Sequence, residues 1–207
     1  YPDQDYTRYT AGYRANALTL AVADRVDISA YVQRNERHLD QNIFIPITPT
    51  ANVAVTSFNF TSLVTVGGRL EAAKGLGVGR VLTYGVDAFR DRSNNTDTSM
   101  TVVTGFGPTS SRSSNKPSVP NATFISTGAF AQFEFQPLSR LTTVLGGRVQ
   151  STTAATRATP NLSTALVTGT DRTAVWSANA LYRVASSLNA IVSVGRGLRA
   201  PNLVERF

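Results

Sequence analysis

Leu82-Thr83-Tyr84-Gly85-Val86-Asp87-Ala88-Phe89-Arg90 sets Leu82, Tyr84, Val86 and Ala88 at alternate positions, with Thr83, Gly85 and Asp87 between them. A period of two sends successive side chains to opposite faces of a strand, so this stretch has one apolar and one polar face. The pattern recurs downstream. Ala129, Ala131, Phe133 and Phe135 alternate with Gly128, Gln132 and Glu134, with Phe130 out of step. Leu141, Thr143, Leu145, Gly147 and Val149 alternate with Thr142, Gly146, Arg148 and Gln150, Val144 being the exception. Trp176, Ala178, Ala180, Tyr182 and Val184 alternate with Ser177, Asn179 and Arg183, and Leu181 breaks the rule.

Upstream, Tyr9, Ala11, Tyr13 and Ala15 oppose Arg8, Thr10, Gly12 and Arg14, and Val26, Ile28, Ala30 and Val32 oppose Asp27, Ser29, Tyr31 and Gln33. Phe58, Phe60, Val64, Val66 and Leu70 oppose Asn59, Thr61, Thr65, Arg69 and Glu71. A last segment carries Ala190, Val192 and Val194 against Asn189, Ser193 and Gly195. Eight strands and no helix are expected. Short links near 23–25, 75–77, 137–139 and 185–187 are interleaved with long ones at about 37–52, 92–122 and 153–172. Short turns at one edge and long loops at the other describe an outer-membrane barrel. The second long loop, rich in Ser, Thr, Gly and Pro, is expected to be mobile.

Composition narrows the function. Only 42% of the 207 residues are hydrophobic, and no apolar run approaches a spanning helix. The net charge is +7, but the basic residues are almost all Arg, spread at about one or two per strand; only Lys74 and Lys116 are lysines. Nucleic-acid binding needs a clustered basic face, so no nucleic-acid partner is expected. Scattered Arg suits a water-filled interior, where its planar fork holds carboxylates. The chain has no cysteine and one histidine, His38, so neither a metal site nor a cofactor is expected. It begins at Tyr1 without a leader, and any export signal is expected outside it.

Three stretches resemble, in the same order, parts of the barrel of TonB-dependent outer-membrane receptors. They are Leu82-Thr83-Tyr84-Gly85-Val86-Asp87-Ala88-Phe89-Arg90-Asp91-Arg92, then Gly128-Ala129-Phe130-Ala131-Gln132-Phe133-Glu134-Phe135, then Gly195-Arg196-Gly197-Leu198-Arg199-Ala200-Pro201-Asn202-Leu203-Val204-Glu205-Arg206-Phe207. The last is the most specific, although Leu198 stands where that family commonly has Phe. The resemblance implies an all-β, antiparallel up-and-down transmembrane barrel of about 22 strands, of which residues 1–207 are a partial barrel of about eight. An N-terminal plug domain and further C-terminal strands are then expected outside this chain. The implied setting is the bacterial outer membrane, with lipid, the plug and an inner-membrane TonB complex as partners. The implied ligand is a scarce small molecule or metal chelate, such as a ferric siderophore, haem, cobalamin or a saccharide.

Within that frame Arg14, Arg69, Arg148 and Arg183, with Glu71, Asp87 and Glu134, are the lumen-facing candidates for a charged network against a plug or solute. Arg112, Lys116, Arg157 and Arg172 fall in the expected outer loops, where they would attract an anionic ligand. Tyr9, Tyr13, Tyr84, Phe133, Phe135, Trp176 and Tyr182 on the apolar faces suit interfacial girdles. Three other readings fit parts of the pattern. A small closed eight-stranded barrel fits the terminal aromatic Phe207, though Pro201 argues against an ordinary last strand. A passive porin fits the alternation. An outer-membrane hydrolase would use His38 with Asp40, but no nucleophile motif accompanies them, and the chain is not expected to be an enzyme.

Overall fold

A computed structural model describes residues 2–197; most of the motif at the C-terminal end, 198–207, lies outside the described residues. The strands are β1 (Pro2–Ala15), β2 (Arg25–Pro46), β3 (Asn52–Gly75), β4 (Arg80–Thr104), β5 (Ser110–Ser114), β6 (Ala122–Leu138), β7 (Leu141–Thr156), β8 (Thr168–Ala185) and β9 (Leu188–Arg196). All pairings are antiparallel, and the sheet runs β1-β2-β3-β4-β6-β7-β8-β9, with the short β5 paired only to β4. This is the up-and-down, all-β architecture that the alternation implies. Neighbouring strands in the sequence are neighbours in space throughout the main path, because each apolar face must continue the next strand's apolar face.

Register confirms which residues share a face. Ile28 opposes Leu70, Leu70 opposes Val86, Val86 opposes Ala129, Ala129 opposes Val149 and Val149 opposes Ala174, forming one apolar row across six strands. The adjacent row, Ser29, Arg69, Asp87, Gly128, Gln150 and Thr173, is polar throughout. Exposure follows the same alternation. On β4, Val86, Ala88, Arg90 and Arg92 are exposed, whereas Gly85, Asp87, Phe89 and Asp91 are half-covered. The polar face is thus the crowded inner side of a curved wall, and the apolar face is the outer one. Its Tyr9, Tyr13, Trp176 and Tyr182 stand 43–74% exposed with no second layer over them, so the outer face is not a soluble core.

The described residues form nine strands where eight are expected, and the long links are shorter than expected. They shrink to 47–51 and 157–167, while β5 occupies part of the link between β4 and β6. His38, Asp40, Arg112 and Arg172 therefore lie on strands, not in loops. The reason is length. A spanning β-strand needs about 9–11 residues, and β2, β3 and β4 run to 22, 24 and 25. Beyond the apolar band both faces meet water, so Ser, Thr and Asn continue the ladder without alternation. Among the described residues β1 and β9 stand at opposite edges and do not pair, so the sheet is an open arc and not a closed small barrel.

Candidate functional site

The inner face carries a charged network between β1 and β7. Asp27 on β2 is held by Arg14 from β1 and by Arg25, whose Nε lies 2.9 Å from it. Arg25 also reaches Glu71 on β3 at 3.3 Å, and Glu71 accepts from Arg69 as well. Farther along, Arg148 on β7 crosses β6 to grip Asp87 on β4 with both arms, at 2.5 and 2.8 Å. Its Nε donates to Gln150 at 3.1 Å, and Gln150 donates to Ser126 at 3.0 Å. A two-armed guanidinium–carboxylate pair fixes orientation as well as charge.

Glycine makes the crossing possible. An added Cβ on Gly128 would sit 2.3 Å from the Arg148 Nη2, so the guanidinium crosses β6 in this position over a bare glycine and would have to shift for any larger residue. The Tyr31 ring lies over Gly67 in the same way, and the Phe130 ring over Gly85. Arg69 then stacks on Phe130 with its guanidinium carbon 4.4 Å from the ring centre, and Arg8 lies 4.5 Å over Tyr31. Large inward side chains lie flat along the wall instead of projecting, which leaves the passage open. This explains Phe130, the residue out of step in β6: it faces inward because it roofs Gly85 and carries Arg69.

The structure joins five of the seven lumen-facing candidates, Arg14, Arg69, Glu71, Asp87 and Arg148, into this network. Glu134 and Arg183 face inward by register but lie nearer the short turns and form no ion pair among the described residues. Arg25 and Asp27 were missed as candidates. Asp27 shares the polar phase of β2, a signal already in the alternation, whereas Arg25 sits where a turn is expected.

The outer end is closed over differently. The segment after β5 folds against β4, where the Asn95 backbone N–H donates to Asn121 Oδ1 at 2.7 Å and the Asn95 side-chain amide donates to the Pro120 carbonyl at 3.0 Å. Thr61 donates to Asn95 at 2.9 Å, and Asn121 N–H donates to Thr159 at 2.8 Å. Arg157, one of the outer-loop ligand candidates, donates to the Ser93 carbonyl at 2.9 Å and to Asn94 at 2.5 Å. Arg112 and Lys116 are exposed at this end, on β5 and just after it, while Arg172 lies on the outer face of β8. His38 packs against Phe60 of β3, ring centres 4.6 Å apart and tilted 43° to each other. No cluster of three His, Cys, Asp or Glu able to hold a metal occurs among the described residues.

A broad trough of about 1040 Å³ spans β2 to β8, lined in part by Ser29, Arg69, Asp87 and Gln150 of the polar row. Its lining includes the outward Ile28, Leu70, Val86, Ala129 and Val149, with Arg172 at the β8 end. Arg148, which lies over Gly128 on the inner side, does not line it.

Comparison with known proteins agrees with this geometry. A family model described as TonB dependent receptor-like, beta-barrel matches residues 1–207. Among solved structures, one titled "Copper transporter OprC" superposes with a TM-score of 0.66 at 18% identity, over 97% of this chain and 33% of that one. The chain thus spans about a third of that protein's length. No curated protein matches it.

Proposed function

The chain belongs to the TonB-dependent receptor-like β-barrel family, and we propose that it forms part of the wall of a gated bacterial outer-membrane transporter that takes up a scarce, bulky solute such as a ferric siderophore. The family's setting is transport across the outer membrane, and its descriptions are of receptors and transporters, not enzymes. In this reading the remainder of the barrel, the plug domain and the TonB-contacting segment are supplied by parts of the protein beyond residues 1–207. Arg14, Arg69, Glu71, Asp87 and Arg148 line the passage and meet the plug or the solute.

The observation that carries this reading is the pairing of an outward apolar face with an inward network of paired Arg and carboxylate groups. Hydrocarbon on one side and water on the other require that division. A bare copper ion, by analogy with the solved neighbour, is less well served by this portion. Its single His38 lies on the outer phase of β2 against Phe60, and its single Met100 shares the outer phase of β4. A bulky chelate held by charge and hydrogen bonds fits the inner wall better.

A passive porin is the competing reading. The test is uptake of a labelled ferric siderophore by cells carrying the full-length protein, with and without an uncoupler of the proton-motive force. Loss of uptake on uncoupling supports gated transport; flux that survives it supports the porin.

A further inference from the structure

Toward the outer end of the inner face two rows cross β2, β3 and β4, with Arg37, Thr61 and Asn95 in one and Leu39, Asn59 and Asp97 in the next. They share the phase of Asp87 and so face the passage. The segment between β5 and β6 lies over them as a strap. It is held where the Ser118 N–H donates to Asp97 Oδ2 at 2.6 Å and where the Asn95 amide donates to the Pro120 carbonyl at 3.0 Å. Wall and strap bound a cavity of about 210 Å³, whose lining includes Arg37, Leu39, Asn59, Asp97, Ser118 and Val119.

The polar groups of this cavity are unevenly used. Thr61 donates to Asn95 at 2.9 Å, but Arg37 and Asn59 form no side-chain hydrogen bond or ion pair among the described residues. Only Oδ2 of the Asp97 carboxylate has a partner. Arg37 and Asp97 stand two strands and two residues apart, about 12 Å between Cα atoms, and form no ion pair with each other. A cation and an anion held on opposite sides of one cavity leave each to meet its counter-charge on a third body. Leu39 and Val119 add apolar contact between them, and no aromatic ring lines the cavity to take the flat face of a sugar.

We propose that this cavity binds the amino-carboxylate end of a zwitterionic solute. Arg37 takes the carboxylate, the free Oδ1 of Asp97 takes the ammonium group, and Asn59 serves either. A guanidinium holds a carboxylate with two parallel hydrogen bonds, and such charge-assisted bonds outweigh neutral ones. Drug-sized ligands fill about 300–1,000 Å³, so this smaller cavity takes a group the size of one amino acid and reads one end of a larger solute. The proposal deepens the transport reading and rests on it for its setting, but the cavity lies apart from the network of Arg14, Asp87 and Arg148.

The test uses the full-length protein in detergent micelles and L-valine as probe, with dissociation constants read by saturation-transfer NMR. Isovalerate lacks the ammonium group and isobutylamine lacks the carboxylate, and each is expected to bind about tenfold more weakly than L-valine. Arg37→Gln is expected to weaken L-valine about tenfold and to leave isobutylamine unchanged. Asp97→Asn keeps an oxygen for the Ser118 N–H; it is expected to weaken L-valine by a similar factor and to leave isovalerate unchanged. Isovalerate or isobutylamine binding as tightly as L-valine overturns the proposal in favour of a site for a single charge. D-glucose binding more tightly than L-valine overturns it in favour of a polyol. No L-valine binding by wild type, or undiminished binding by either variant, overturns it outright. Heat-modifiable electrophoretic migration reports whether each variant is folded, and the ligand series on wild type decides the matter where one is not. Binding in micelles needs no proton-motive force, so its failure is distinct from failure of the uptake experiment.

Discussion

Arg148 and Asp87 stand on strands that are not neighbours, and the guanidinium of one reaches the carboxylate of the other across the bare backbone of Gly128. The pair therefore clamps β4, β6 and β7 together on the inner face. Arg148→Gln or Asp87→Asn, each leaving one charged partner behind, is expected to lower the stability of the folded barrel by about 1.5–3 kcal/mol. Urea unfolding of both single variants and the double variant checks this, and the double is expected to cost much less than the sum.

Gly128→Ala places a methyl group against the crossing guanidinium and is expected to cost about 1–3 kcal/mol. In an Arg148→Ala background the obstruction is gone, and the same substitution is expected to be nearly neutral. Unfolding curves of the four proteins in the cycle decide it; an equal cost in both backgrounds refutes the crossing.

Gly67 and Gly85 separate two kinds of close approach. At Gly67 the nearest atoms, 2.6–2.7 Å from an added Cβ, all belong to the Tyr31 ring, so Tyr31→Ala is expected to rescue Gly67→Ala. At Gly85 the nearest is the Leu70 carbonyl oxygen at 2.3 Å, which no side-chain change removes. Gly85→Ala is therefore expected to remain defective in a Phe130→Ala background, read as failure of the heat-modifiable shift in electrophoresis.

At the short-turn end Asp24 accepts from Lys74 Nζ at 2.6 Å and from the Gly75 N–H at 2.8 Å. The Lys74 hydrogen bond first, and the Gly75 amide second, hold the Asp24 carboxyl below its ordinary range. A depressed folded-state value means that its stabilisation is complete above the unfolded carboxylate's pKa of about 3.9 and is lost as pH falls through the folded value. Protection of the Gly75 amide, taken against its intrinsic exchange rate at each pH, is expected to fall in wild type as pH drops through the folded value. In Asp24→Asn this acid-induced loss of protection is expected to be absent.

Trp176 is the chain's single tryptophan and faces outward, 51% exposed. In bilayers, the emission lost on Trp176→Phe substitution is expected to be quenched by brominated lipid and insensitive to aqueous iodide. The opposite pattern places this face in water.

The spanning part of the wall was legible because two different solvents impose a period of two, as 82–90 and 141–150 illustrate. The extensions were not. Residues 34–46 of β2 and 91–104 of β4 have water on both sides, so nothing selects alternation, and polar residues read as loop although they hold a regular ladder. Arg112, on the short β5, reads as loop for the same reason. At the site, the phase of each strand announced Arg14, Arg69, Glu71, Asp87 and Arg148, but which arginine meets which acid depends on register and on the glycine between them. Gly128 and Arg148 are twenty residues apart, and only pairing of β6 with β7 brings them together.

The height of β2, β3 and β4 has a consequence for what the cell's surroundings meet. At about 3.3 Å per residue, some fourteen residues of β3 beyond the spanning length make a turret on the order of 40 Å tall, shortened somewhat by tilt. The hairpin tip at 47–51 thus stands about that far from the spanning part of the wall, on a ladder paired along its whole length. An epitope grafted there is displayed to large reagents while the hydrocarbon-spanning wall below stays untouched.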